Sequence, residues 1–156
     1  MGEALFTSFG KAGVACHFID LAAVPLPICD AGSCYSDPEV QRVGSLLAES
    51  DGIVLATPIY NYDASAAAKN LIELTGDAWE HKIAGFLCAA GGHSSYMSIL
   101  GLANSLMLDY RTFIVPRFVY ATGGDFAGGA LSNPEVIRRI EELGQELQRV
   151  CRALRA

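Results

Sequence analysis

No run of lysine and arginine in this chain is long enough to form a phosphate-tracking stripe, and the net charge is −6, from 11 basic against 17 acidic residues. Nucleic acid and an anionic membrane surface are therefore not expected as partners. No apolar stretch reaches the roughly 20 residues that a membrane-spanning helix needs. The opening residues Met1-Gly2-Glu3-Ala4-Leu5-Phe6 lack the basic start and long apolar core of a secretory leader, so the expected compartment is the cytoplasm. No GxGxxG follows a strand and no Walker A pattern occurs, which disfavours a dinucleotide-binding dehydrogenase or a P-loop enzyme. The 5 cysteines, Cys16, Cys29, Cys34, Cys88 and Cys151, form an odd, scattered set. A zinc site at Cys29 and Cys34 would need two more ligands, and only His17 is at hand in sequence, so no metal is expected. Cys16 and Cys88 lie in apolar runs and are expected to be buried. Cys29 and Cys34 read as free loop thiols, open to oxidants if the site lowers a thiol pKa.

What the chain does have is apolar residues in two kinds of pattern. Residues 14–19, 52–57, 83–89 and 112–119 read as strands, and the middle two are continuously apolar. Strands of that kind are covered on both faces, as in a parallel sheet between helix layers. Pro116 cannot donate to a ladder, so the last strand is at an edge or breaks there. Helical patterns fill the intervals at 2–11, 38–49, 64–75 and 96–108, and a final helix opens at Ser132-Asn133-Pro134-Glu135. The run Ser36-Asp37-Pro38-Glu39 supplies a cap, a first-turn proline and a capping glutamate for the second of these. Strand and helix alternate throughout, with no internal repeat, linker or low-complexity segment. The reading is one α/β domain over residues 1–156, an open parallel sheet with helices on both faces.

In such sheets ligands bind beyond the carboxyl ends of the strands. Two loops there stand out. Thr57-Pro58-Ile59-Tyr60-Asn61-Tyr62-Asp63-Ala64-Ser65 gathers two tyrosines, an asparagine and an aspartate on one turn before a helix, with Pro58 expected to end the strand. Flat rings and free helix N–H groups suit a planar heteroaromatic ligand, and the same residues also suit an ordinary capped turn with exposed tyrosines. Ala89-Ala90-Gly91-Gly92-His93-Ser94-Ser95-Tyr96 follows the next strand. Its glycines permit close approach to the backbone, and Ser94 and Ser95 can cap the following helix. His93 reads either as a ligand contact or as a solvated loop histidine. The glycine-rich stretch from Gly123 to Gly129, with Asp125 and Phe126, reads either as a lid or as a flexible loop.

The run Ala56-Thr57-Pro58-Ile59-Tyr60-Asn61, continuing to Lys69-Asn70-Leu71-Ile72-Glu73, resembles the NAD(P)H-dependent FMN reductase family of the flavodoxin-like superfamily. So do the spacing to Trp79 and Lys82 and the Gly91-Gly92 loop. The resemblance implies a flavodoxin-like fold and FMN as cofactor, with NADPH or NADH as co-substrate. It implies hydride transfer through flavin to free flavin, a quinone or a similar small acceptor. It further implies flavin contacts at Thr57, Pro58, Ile59, Tyr60, Asn61 and Tyr62 and at Ala90, Gly91, Gly92, His93 and Ser94, with no side chain acting as acid or base. The apolar helix 97–108 reads either as buried within the domain or as part of a subunit interface; related reductases form dimers and tetramers through helices, so the resemblance favours the interface and a homodimer or homotetramer. The rival reading is a flavodoxin-like remnant without redox activity that serves as an oligomerising or ligand-binding module.

One departure stands out. The family opens with a central strand and a phosphate loop, whereas residues 2–11 match the middle of its first helix. The first strand of the usual 2-1-3-4-5 order has no counterpart. FMN affinity is therefore expected to be weakened or lost, because contacts to an ionic phosphate are among the strong ones. The strand at 14–19 is expected to pair directly with 52–57, or a segment of another chain to fill the gap. A start codon assigned too late would account for the short N-terminus.

Overall fold

The computed structural model describes residues 1–155. Among the described residues the α-helices and β-strands follow one another as α1 (Gly2–Lys11), α2 (Pro38–Glu49), β1 (Gly52–Tyr60), β2 (Asp63–Ala64), α3 (Ala66–Thr75), β3 (Ile83–Ala90), α4 (Leu100–Tyr110), β4 (Phe113–Ile114), β5 (Val119–Thr122), β6 (Phe126–Ala127), β7 (Ala130–Leu131) and α5 (Pro134–Arg155). Strand β3 is central and buried from Ile83 to Cys88. It pairs in parallel with β1, from Gly52 opposite Ile83 to Pro58 opposite Ala89. On its other side it pairs in parallel with β4 and then β5. The expected break at Pro116 is present, and a left-handed Arg117 (φ 63) lies within it.

Two cores lie on opposite faces of this sheet. One joins α2, α3 and α4 around Val43, Leu71, Phe86 and Leu106, with Trp79 fully buried among them. The Trp79 indole donates to Thr75 Oγ1 at 3.0 Å, so its only polar atom is satisfied. The other core joins α1 and α5 through Leu5, Val119, Ile140 and Leu143. The α2 start is as the sequence indicates, because Asp37 Oδ1 accepts from the backbone N–H groups of Glu39 and Val40. Its far end is closed by Lys82, whose Nζ donates to the carbonyls of Ala48 and Ser50.

Residues 14–19 form no strand, contrary to expectation, and they do not pair with 52–57. They run alongside β1 across an open lane of the sheet, a cavity of about 1100 Å³. Leu5 and Leu147 wall it from one layer and Leu47 and Leu71 from the other, so the gap passes through the plane of the sheet. The physical reason is that an extended run becomes a strand only when a neighbour supplies its ladder; this segment has none, and its Phe18 ring packs on Phe6 of α1. Cys16 is consequently half-buried on the lane rather than a core thiol, whereas Cys88 is fully buried as expected.

Two further expectations are corrected. Strand β1 continues through Pro58 to Tyr60, because the lane edge carries no ladder at that residue for the proline to interrupt. Helix α4 begins at Leu100 with no side-chain cap, so neither Ser94 nor Ser95 caps it.

Candidate active site

The first loop is a tight hairpin. Tyr60 pairs with Asp63 and Ile59 with Ala64, which leaves Asn61 and Tyr62 as a two-residue turn. Both take left-handed backbone angles, φ 50 and φ 63. That pair of angles matches the right-handed twist of the flanking strands. Asn tolerates it, but for a tyrosine the left-handed region costs about 1 kcal/mol or more. Behind the turn, Thr57 is buried, and its Oγ1 accepts from Ser65 N at 3.1 Å. Ser65 Oγ in turn accepts from Ala68 N, so one short chain of hydrogen bonds ties the end of β1 to the start of α3. Tyr60 and Tyr62 are 63% and 67% exposed, so neither ring is committed to the core.

The second loop leaves β3 at Ala90. A Cβ built on Gly91 or Gly92 would meet nothing within 4 Å, so this backbone faces open space. The loop is fastened from below by a residue that sequence reasoning missed. Tyr120, on β5 and 7% exposed, donates from its hydroxyl to the Gly92 carbonyl at 2.6 Å and lies 2.8 Å from Ser95 Oγ. The Tyr96 ring packs edge-on against Tyr120 with centroids 5.4 Å apart. A tyrosine at the end of an apolar strand reads as core, and the loop carbonyl that takes its hydroxyl proton is invisible in sequence.

The two loops meet. Ile59, Asn61 and Tyr62 from one, with Ala90, Gly91, Gly92, Ser94 and Ser95 from the other, line one pocket of about 300 Å³ at the carboxyl edge of the sheet. Of the residues singled out from sequence, Thr57 supports this pocket from behind, while Pro58 and Tyr60 face the lane. His93 is exposed and outside the lining. It is close enough to Asp125 to help keep that carboxyl below its usual pKa. The main causes of that shift are the Thr122 N–H and the Asn133 side chain, which donate to Asp125 at 2.7 and 2.6 Å. The glycine-rich stretch is thus an ordered hairpin, β6–β7 turning on Gly128 and Gly129, pinned by Asp125 to the start of α5.

Among the described residues no group of His, Cys, Asp and Glu could hold a metal ion. The pocket lining carries no carboxylate, histidine, lysine or arginine. Its glycines, amide and hydroxyls around open space fit the edge of a planar ring system, and they offer no cation to a phosphate. A parallel sheet with such a pocket at its carboxyl edge defines a flavodoxin-like α/β protein.

Comparison with known proteins agrees. The chain resembles an oxidoreductase from Corynebacterium diphtheriae with a TM-score of 0.73 at 23% identity, over 96% of this chain and 83% of that one. It also resembles a flavodoxin, WrbA-like protein from Agrobacterium tumefaciens with a TM-score of 0.64 at 15% identity, over 97% and 90% of the two chains. The family model for NADPH-dependent FMN reductase matches residues 2–127. A relative in sequence is an NAD(P)H-dependent FAD/FMN reductase from Geobacillus thermodenitrificans (strain NG80-2), 30% identical over 135 residues, 84% of this chain and 72% of that protein. The chain belongs to the NADPH-dependent FMN reductase family, oxidoreductases with FMN as cofactor and a nicotinamide nucleotide as co-substrate.

Proposed function

We propose that the chain passes hydride from NADPH or NADH through FMN to free flavin, a quinone or a similar small acceptor, with the flavin ring held between the two loops. The observation that carries this reading is that the turn at Asn61 and Tyr62 and the glycines at 91 and 92, far apart in sequence, line one pocket with no carboxylate, histidine, lysine or arginine. FMN, when bound, supplies the redox chemistry, and the protein supplies orientation and exclusion of water. Thr57 and Ser65 hold the first loop at the end of β1. Asn61 and Tyr62 present their backbone and side chains to the ring. Tyr120 engages the Gly92 carbonyl and so fixes which way the Gly91-Gly92 peptides face. Ala90 and Ser94 complete the contact, with Pro58, Ile59 and Tyr60 shaping the turn and His93 at its rim.

FMN affinity is weak on this reading, because the lining has ring contacts and no lysine or arginine for the phosphate. Riboflavin then binds as well as FMN, and a large preference for FMN would contradict the assignment. The chain assembles as a homodimer or homotetramer through α4, where Leu100, Met107 and Leu108 are exposed beside Met97 and Phe113. A monomer in light scattering would refute that part. The proposed compartment is the cytoplasm; among the described residues no helix is long and apolar enough to cross a membrane.

NADPH consumption by purified protein with added FMN and a quinone tests the activity. Catalytic turnover that needs FMN, with free flavin or the quinone as acceptor, supports it. No turnover at saturating FMN would favour the alternative, a ligand-binding or oligomerising module without redox activity, to which the open lane beside β1 lends support.

A further inference from the structure

The segment leading into α2 carries a second chemical feature, away from the flavin pocket. Asp30 builds a tight turn there: its Oδ1 accepts from Gly32 N at 2.8 Å and Cys34 N at 3.1 Å, and its Oδ2 accepts from Ser33 Oγ at 2.8 Å. Ala31 takes a left-handed φ of 56, which reverses the chain. The single 3₁₀ turn Ser33–Ser36 then brings Cys34 back beside Cys29, and the two share one apolar cluster with Val40, Leu74 and Leu26. The turn is anchored to α3, since Asn70 accepts from Cys29 N and donates to the Pro27 carbonyl, both at 2.9 Å.

The two sulfurs differ in surroundings. Cys34 is 5% exposed and packs with Val40 and Leu74, whereas Cys29 is half-buried and open to solvent on one side. Cys29 Sγ lies 3.6 Å from Tyr35 Oη and 3.8 Å from the Glu73 carbonyl. The Ala31 N–H, followed by the Tyr35 hydroxyl, holds the Cys29 thiol below its ordinary pKa against the opposing effects of burial and, less, of Glu73. Burial, followed by the hydrogen bond with Asp30, raises that of Cys34. Tyr35 is itself pushed up to about 12, chiefly by its contact with Cys29, so it stays a neutral donor. An accessible thiol of lowered pKa beside a more buried, less acidic thiol is the arrangement that reacts selectively with peroxides.

We propose that Cys29 and Cys34 are a reversible redox pair, with Cys29 the peroxide-reactive thiol and Cys34 its resolving partner. In the first step the Cys29 sulfur attacks one oxygen of hydrogen peroxide. An S–O bond forms, the O–O bond breaks, and the leaving hydroxide takes up the proton given up by the Cys29 thiol and departs as water, so sulfur is oxidised by two electrons and peroxide reduced. In the second step the Cys34 sulfur attacks the Cys29 sulfenic acid. The S–S bond forms, the S–O bond breaks, and hydroxide leaves as water with the Cys34 proton. A dithiol returns the pair to its starting state. The disulfide would lock the turn at Asp30 between α2 and α3.

The experiment treats the purified chain with hydrogen peroxide, blocks remaining thiols under denaturing conditions, and maps cysteine peptides by mass spectrometry. The expected result is a Cys29–Cys34 disulfide reversed by dithiothreitol, with Cys16, Cys88 and Cys151 still blocked as free thiols. A sulfenic-acid probe such as dimedone should label Cys29 in Cys34→Ser, and labelling in this segment should vanish in Cys29→Ser. Retention of all free thiols in the oxidised chain, or a disulfide mapped to another pair, would overturn the proposal. So would dimedone on Cys16 and not on Cys29. The wild-type map does not depend on either variant folding.

Discussion

Tyr120→Phe isolates one hydroxyl that serves both the fold and the site. The ring stays, and with it the edge-on contact to Tyr96. What goes is the bond to the Gly92 carbonyl at 2.6 Å and the one shared with Ser95 at 2.8 Å. Each such bond contributes about 0.5 to 1.5 kcal/mol net. Gly92 is exposed, so water can take over its carbonyl, and the loss should fall in the lower half of the combined range, about 1 to 2 kcal/mol. For a domain of this size that lowers the melting temperature by roughly 2 to 8 °C. Thermal unfolding followed by circular dichroism measures it. Ser95→Ala removes only the second bond and should show the smaller part of the shift. Flavin affinity should fall with Tyr120→Phe as well, because the Gly91-Gly92 peptides lose the anchor that fixes their direction. An unchanged melting temperature with unchanged flavin binding would refute the role assigned to Tyr120.

Tyr62→Gly relieves a left-handed tyrosine, so stability should hold or rise by up to about 1 kcal/mol while flavin binding weakens; a lower denaturation midpoint with intact binding would contradict this. Thr57→Val leaves the Ser65 N–H without its acceptor at the end of β1 and should cost about 1 to 3 kcal/mol in urea unfolding. The Asp125 carboxyl has a folded pKa below its unfolded one, so its contribution is present above the ordinary carboxylate range and is lost as pH falls through the depressed value. The wild type should therefore lose stability more steeply than Asp125→Asn below about pH 4, and parallel acid-unfolding curves would show that the Thr122 and Asn133 bonds do not matter.

Helices α1 and α2 are legible in sequence to the residue, because caps and periodicity act locally: Asp37 needs nothing beyond its own turn to start α2. The continuous apolar runs of β1 and β3 announce a sheet buried on both faces for the same reason. Residues 14–19 show the limit. Their composition suits a pleat, but a strand is a property of a pair, and the neighbour that would make the ladder is not adjacent in the fold. The start of α4 is another case. Ser95 is a good cap in isolation, yet its hydroxyl bonds to Tyr120, 25 residues away, and the helix begins later without a cap. The pocket was readable from the order of strands, since both loops leave parallel strands at the same edge. The residues that hold it rigid were not, because they act through long-range contacts to backbone groups.

The most direct test of the central claim is a fluorescence titration of purified protein with FMN, followed by NADPH under anaerobic conditions. Saturable quenching, with bleaching of the flavin absorption on adding NADPH, is the predicted result. Absence of quenching at millimolar flavin, or quenching that survives unchanged in Tyr62→Gly and Tyr120→Phe, would contradict the placement of flavin between these two loops.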